Sequence, residues 1–154
     1  MASNFPAYVV EGAEHSVVRE YGVGTAFVVG SFVVWDTSNN DMDLCGADPA
    51  LIAGISEVNS ADADDLTPDS KVPVRIITSD RCVIALASAT TPAVSYIGDR
   101  VGLTLSSGIW LCDVAKTTTT SRATVMDVDI TNGIFFVNLS MNALQFAGDR
   151  TAQS

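Results

Sequence analysis

The sequence is poor in the side chains that carry most enzyme chemistry. It contains one histidine, His15, and three cysteines among 154 residues. A serine or cysteine nucleophile that needs a histidine base would therefore depend on a single imidazole near the N-terminus. We predict from this scarcity that the protein is not an enzyme, that it has no catalytic residues and that it uses no cofactor.

Basic residues are also scarce. Eight lysines and arginines stand against eighteen acidic residues, which gives a formal net charge of −10. Such a charge repels a phosphate backbone, because proteins bind nucleic acids largely through lysine and arginine. The composition predicts that nucleic acid is not a partner.

Long apolar runs are missing as well. A membrane-spanning helix needs about 18 or more apolar residues, and the richest stretch, residues 26–35, is interrupted by Gly30 and Ser31. Residues 1–15 show neither the basic start nor the apolar centre of a secretory signal. The sequence predicts a protein that is made in a cytoplasm and has no membrane partner.

The cysteines lack the spacing of a metal site. Cys45, Cys82 and Cys112 are far apart, and each lies in an apolar run. Tetrahedral zinc sites use closely spaced pairs of ligands. We therefore expect three buried thiols, with neither a metal nor a disulfide.

Calcium is the one metal that the sequence brings into question. Asp36, Ser38 and Asn40 alternate like the start of an EF-hand loop, but Asp41 stands at the glycine position and Ala47 at the glutamate position. The pattern predicts no metal site, and calcium is the cation against which to test that prediction.

The residues that are abundant are those of strands and turns. From Val23 to Leu139, short apolar runs alternate with Gly, Asp, Asn, Ser or Pro, and no strand–helix alternation is visible. This pattern predicts an all-β domain of about eight strands, closed or sandwich-like. "GDR" occurs at Gly98 and Gly148 without matching neighbours, so we expect no internal repeat.

Turn residues predict where the chain reverses. Hairpins are expected around the polar run 36–43, at Ser106–Gly108 and at Thr131–Gly133, where Asn-Gly favours a type I′ turn. The runs 71–79 and 81–88 are expected to be two strands joined by a tight turn. Short helical segments are expected near residues 48–55 and 141–148.

Residues 1–22 differ from the rest of the chain. An extended Phe5-Pro6 start is followed by two short β-type runs with too few apolar residues to form a layer of their own. The sequence therefore predicts an extended N-terminal arm over residues 1–22 and a β-domain over residues 23–154. An apolar content of 47% with only 17% charge also predicts surface that contacts another chain.

Four segments together resemble a known family. The order "VGTAFVVGSFVVWDTSN", "ALIAGISEVNSADADD", "KVPVRIITSDRCVIALA" and "YIGDRVGLTLSSGIWLCDV" is similar to that of the small capsid decoration, or cement, proteins of tailed bacteriophages. Gly30–Val34, Ile52–Ile55, Val72–Ile76 and Gly98–Leu103 carry the similarity. It covers residues 23–140.

The resemblance implies a fold and a function. It implies a single β-barrel or β-tulip-like domain, often a homotrimer, on the outer surface of an expanded capsid, where it clamps neighbouring subunits of the major capsid protein. It also implies that the N-terminal arm contacts the capsid. The residues expected to make that contact are Phe5, Pro6, Tyr8, Val9, Val10, Val17, Val18 and Tyr21.

A carbohydrate-binding or adhesin-like module is the alternative. Its basis is Trp35, Trp110 and the threonine-rich segment 116–122. Both tryptophans lie within apolar runs, where packing in the core is the expected role. That placement favours the capsid interpretation.

Overall fold

The computed structural model describes residues 5–46, 48–62, 71–115 and 121–147. Three predicted features fall wholly or partly outside these ranges: the polar loop before Lys71, the threonine-rich segment 116–122 and the end of the predicted helical segment at Gly148.

The all-β prediction is confirmed. Within the described ranges, eleven strands form two antiparallel sheets, and the helical elements are three-residue 3-10 turns. The strands are β1 Tyr8–Glu11, β2 Ser16–Gly22, β3 Phe32–Asp36, β4 Asp41–Leu44, β5 Gly54–Ser56, β6 Lys71–Ile77, β7 Val83–Leu86, β8 Arg100–Ser106, β9 Ile109–Asp113, β10 Ala123–Asp129 and β11 Ile134–Leu139.

The two sheets repeat one strand order, which corrects the expectation of no repeat. One sheet runs β2-β6-β5-β3-β4, and the other runs β7-β11-β10-β8-β9 with β1 added beside β7. Adding five to each label of the first order gives the second. We call residues 16–77 the N-terminal unit and residues 83–139 the C-terminal unit. The sequences of the units have diverged so far that the repeat is visible only in the strand pairing.

Main-chain hydrogen bonds align the units residue by residue. In the N-terminal unit, Ala53 N–H donates to Val33 O at 2.7 Å and Ile77 N–H donates to Ala53 O at 3.0 Å. The C-terminal unit repeats this relay through Arg122 and its two partners, both at 2.9 Å. The equivalent pairs are Val33 and Val101, Ala53 and Arg122, and Ile77 and Ser140.

Each sheet curls back toward its first strand. An isolated parallel bridge joins Val23 to Met42 in the N-terminal unit, and another joins Ala87 to Leu111 in the C-terminal unit. The bridges bring the last strand of each sheet close to the segment that follows the first strand. No closed barrel is found in the described part of the chain.

The core lies inside both curls and between the units. The curl of the N-terminal unit buries apolar side chains that include Val33, Met42 and Val74. A larger cluster fills the C-terminal unit and takes in Phe32 from the other unit, whose ring lies 5.2 Å from that of Trp110. Burying each such side chain contributes about 2–3 kcal/mol, so the units stabilise one another.

The three predicted hairpins are confirmed as β3–β4, β8–β9 and β10–β11. At the last of them the type I′ turn is wrong. Only Gly133 is left-handed, with φ of 71°, while the Asp129 carboxylate accepts the N–H of Asn132 at 3.1 Å. The side chain of Asp129 therefore sets a longer, four-residue loop.

The predicted tight turn between β6 and β7 joins two units instead of forming a hairpin. The strands belong to different sheets. Thr78 Oγ1 donates to His15 O at 2.7 Å, and Cys82 Sγ donates to Gly12 O at 3.2 Å. These bonds tie the link to the N-terminal segment, so β6 and β7 each pair with that segment and not with each other.

Residues 48–55 do not form the predicted helix. Asp48 has φ of 56°, and the chain continues into β5. Residues 26–30, which the sequence favours as a strand, are a loop that ends at Gly30. A Cβ on Gly30 would lie 2.5 Å from the Cβ of Pro6, so glycine is needed for this close approach.

Candidate functional site

The segment predicted as a free arm is paired within the chain. β1 pairs with β7, with Tyr8 opposite Ala85, and β2 pairs with β6 over its whole length. This finding corrects the prediction of an arm separate from the domain. The physical reason is that β6 and β7 each need a neighbour to satisfy their main-chain polar groups, and the N-terminal segment is that neighbour.

The predicted contact residues divide between surface and interior. Tyr8, Val10 and Val18 are 49%, 37% and 36% exposed, and Pro6 is also exposed. The other predicted residues are half-buried, namely Phe5, Val9, Val17 and Tyr21. The Tyr21 ring packs 5.5 Å from that of Trp35, so Tyr21 is a packing residue of the N-terminal unit.

The paired segment forms one outer edge across both units. β1 borders the C-terminal unit, β2 borders the N-terminal unit, and the bonds from Thr78 and Cys82 hold the 3-10 turn between them. We call residues 8–22 the N-terminal edge. Its exposed apolar side chains and its outward main-chain groups are features of surfaces that add a strand from another polypeptide.

The direction of the main-chain groups in β2 follows from its register. Thr78 N–H donates to His15 O at 3.2 Å across the strand pair. Hydrogen-bonded pairs alternate along antiparallel strands, so the N–H and C=O groups of Val18 and Glu20 point away from β6. Glu20 lies opposite Pro73, which has no N–H to offer it.

One outward carbonyl already has a side-chain donor. Arg19 Nη1 donates to Val18 O at 3.0 Å. The sequence interpretation omitted Arg19 and Glu20 because it selected apolar residues only. The alternation within "SVVREYG" was the signal that could have placed them on the edge.

Three carboxylates converge at the end of the β3–β4 hairpin. Oxygens of Asp36, Asp41 and Asp43 lie within 4.8 Å of one another. These carboxylates are the residues that could hold a cation, and the cluster differs from the EF-hand pattern, which takes in Ser38 and Asn40. Asp36 serves the turn, since its carboxylate accepts Ser38 N–H and Asn39 Nδ2–H, both at 2.8 Å.

The cluster has opposed electrostatics. Hydrogen bonds from the Asn39 side chain and the Ser38 N–H lower the pKa of Asp36. Desolvation, followed by the charges of Asp43 and Asp36, raises the pKa of Asp41. All three groups are half-exposed, and the turn explains Asp36, so the convergence does not by itself define a cation site.

The histidine and the cysteines do not meet in a nucleophile–base pair. His15 Nε2 lies 3.7 Å from Glu14 Oε2 at the surface. All three cysteines are free and buried, as predicted. Burial raises the pKa of Cys45 and of Cys112 to about 12, so these thiols remain protonated and poorly nucleophilic.

Two cavities lie near the surface. An apolar one of about 290 Å³ is lined by Phe5, Tyr8, Val29 and Ile134 among others. A polar one of about 200 Å³ lies between Arg100 and Arg122. Arg122 Nε donates to Pro49 O at 2.6 Å, which ties this guanidinium to the fold.

The tryptophans fill the core, as their sequence positions predict. Trp110 is 1% exposed, and Trp35 is half-buried against Tyr21. A ring buried in this way does not offer a stacking face to a sugar. The other basis of the carbohydrate alternative, residues 116–120, lies outside the described ranges.

Comparison with known proteins adds no relative. A scan against protein families gives no match for this chain, and a search of curated proteins gives none either. None of the helical turns in the described ranges has the length or apolar character required to cross a bilayer.

Proposed function

We propose that the protein is a structural capsid decoration protein that binds the outer surface of an expanded phage capsid and clamps neighbouring subunits of the major capsid protein. The observation that carries the proposal is the N-terminal edge, with Tyr8, Val10 and Val18 exposed along one border of both units. A border of this length can contact two shell subunits at once. It replaces the free arm as the contact surface.

The physical basis is binding without catalysis. A protein that binds only the assembled, expanded lattice stabilises that lattice by mass action, and many copies add their effects. Main-chain pairing with a shell strand supplies affinity without a deep pocket. The net charge of −10 suits a surface that does not bind the packaged nucleic acid.

The fold supports the finer parts of the proposal. Two curled sheets of equal topology are compatible with a tulip-like domain. Exposed Val94, Ile97 and Met126 lie on a 3-10 turn and the adjoining β10, which contact each other. We assign this apolar patch to the contact between copies in a homotrimer made in the host cytoplasm and carried on the outside of the virion.

Sedimentation with purified shells tests the proposal. The protein is mixed with expanded and with unexpanded shells, and we expect it to sediment with the expanded form. A variant with Tyr8→Ser and Val10→Ser keeps the main chain of β1 but removes its exposed apolar groups, so its binding should fall. The matched control is Phe146→Ser, which changes an exposed apolar residue outside the edge and should bind normally.

Two results would contradict the proposal. One is equal sedimentation with both shell forms. The other is retention of full binding by the edge variant. The mass of the protein in solution tests the trimer separately, and a monomer at high concentration would remove that part.

A further inference from the structure

The two units differ at one border. In the C-terminal unit, β1 pairs with the outer side of β7. In the N-terminal unit, no strand of the described residues pairs with the outer side of β2. Because the units share one topology, the border of β2 corresponds to a position that is filled in the other unit.

Register fixes which residues of β2 correspond to the filled border. Ile77 and Ser140 are equivalent, so Val74 and Val137, three residues earlier in each unit, are equivalent too. Arg19 lies opposite Val74, and Ile84 lies opposite Val137. Arg19 therefore corresponds to Ile84, so Val18 and Glu20 correspond to the residues on either side of it.

Those two residues of β7 are the ones that pair with β1. Val83 lies opposite Glu11, and Ala85 lies opposite Tyr8. Their counterparts, Val18 and Glu20, direct N–H and C=O groups outward, as the register of β2 requires. The filled border and the open border thus present equivalent main-chain groups.

We infer that the outer side of β2 accepts an extended strand from another polypeptide, which pairs antiparallel with Val18–Glu20 as β1 pairs with Val83–Ala85. The incoming N–H takes the Val18 carbonyl that Arg19 Nη1 now occupies at 3.0 Å. An apolar side chain on the strand covers Val18, which is 36% exposed.

Charge defines the chemistry of the strand. Glu11, Glu14 and Glu20 are exposed along the N-terminal edge, against the single arginine Arg19. A strand that alternates apolar residues with lysine or arginine complements this border. A second copy of the chain does not, because each copy carries a net charge of −10 and already uses its own β1 within the fold.

The inference goes beyond the proposed function, since it specifies the chemistry of the strand and not its source. A shell subunit is the donor if the decoration function holds. Synthetic peptides test the acceptor border without shells, so failure of one proposal is distinguishable from failure of the other.

Peptide titration of the full chain is the direct test. The probe is a peptide of about eight residues that alternates valine and lysine, and its control has glutamate in place of lysine. We expect the basic peptide to bind and to slow amide hydrogen exchange at Val18 and Glu20. Equal binding of the acidic peptide, or protection at β1 instead of β2, would overturn the inference.

Proline at position 18 separates binding from folding. Val18→Pro removes an outward N–H that β6 does not use, and edge strands tolerate proline at such positions. Peptide affinity should fall by roughly tenfold or more while the melting temperature stays close to that of the wild type. Unchanged affinity in a folded variant would contradict the proposed border.

A second variant keeps the test decisive if the proline variant fails to fold. Arg19→Ala frees the Val18 carbonyl, so we expect tighter binding of a peptide whose charge is carried at its ends. Weaker binding to Arg19→Ala would mean that the guanidinium itself holds the peptide. Protection of Val18 and Glu20 that rises with protein concentration and without peptide would identify a second copy as the occupant and would also overturn the inference.

Discussion

Individual carboxylates within the Asp36, Asp41 and Asp43 cluster have opposite effects on stability. Asp36 has a lowered pKa because Asn39 and Ser38 donate hydrogen bonds to its charged form. Asp41 has a raised pKa because of desolvation and its two acidic neighbours. One of its oxygens, Oδ1, is buried without a hydrogen-bond partner. Folding therefore favours the charged form of Asp36 and disfavours that of Asp41.

We predict that Asp41→Asn raises the melting temperature at neutral pH by a few degrees. The amide removes a disfavoured charge and can donate a hydrogen bond to Asp43. Because the folded-state pKa of Asp41 lies above its ordinary value, the wild type loses stability as pH rises through the folded pKa. The advantage of the variant should therefore shrink as pH falls toward about 4.

Thermal unfolding followed by circular dichroism at several pH values checks this prediction. The control is Asp36→Asn, which weakens a turn that accepts hydrogen bonds and should lower stability at neutral pH. A melting temperature of Asp41→Asn below that of the wild type at neutral pH would show that its charge is not a source of strain.

At the scale of elements, the outer strands β1 and β2 are structural. Each satisfies one side of an inner strand, β7 or β6, and β2 also contributes Val17 and Tyr21 to the packing of the N-terminal unit. The interpretation of residues 1–22 as a removable arm would let the rest fold alone. The pairing makes them part of the fold.

We predict a graded loss of stability on shortening the N-terminus. Deletion through Glu11 removes β1 and should lower the melting temperature while the N-terminal unit remains folded. Deletion through Gly22 removes both outer strands and exposes β6, so cooperative unfolding should be lost. Circular dichroism melts of the two deletions give the answer, and a wild-type melt for the longer deletion would restore the free-arm interpretation.

At the scale of the whole molecule, the two units share a core. Phe32, Ile55 and Ile77 come from the N-terminal unit, yet they belong to the same buried cluster as Trp110 and Phe135 of the C-terminal unit. All five are 3% exposed or less. Loss of order in one unit would expose apolar surface of the other, so the molecule should unfold in one step.

The tryptophans provide one probe for each unit. Trp35→Phe leaves Trp110 to report on the C-terminal unit, and Trp110→Phe leaves Trp35 to report on the N-terminal unit. We predict that in each variant the fluorescence melt coincides with the circular dichroism melt. If one probe in an otherwise folded variant changes well before the loss of sheet signal, the units unfold separately and the shared core is less important than we infer.

Local patterns account for the parts of the fold that the sequence predicted. Asn, Asp and Gly between apolar runs place the three hairpins. The cysteines and Trp110 are buried because they lie inside those runs. At β10, a bulge between Val125 and Asp127 lets Val125 and Val128 both reach the core. The spacing of these two valines departs from simple alternation, and only the paired strand explains it.

Sequence patterns alone determined that the chain is all-β, where its hairpins turn and which side chains are buried, because alternation and turn chemistry act over a few residues. Tertiary structure decided that residues 8–22 are outer strands, that two units repeat one topology and that three aspartates converge. Those features depend on which strands pair across long stretches of chain. Alternation fixes the face of a strand but not its partner, so the pairing emerges only when the whole core is assembled.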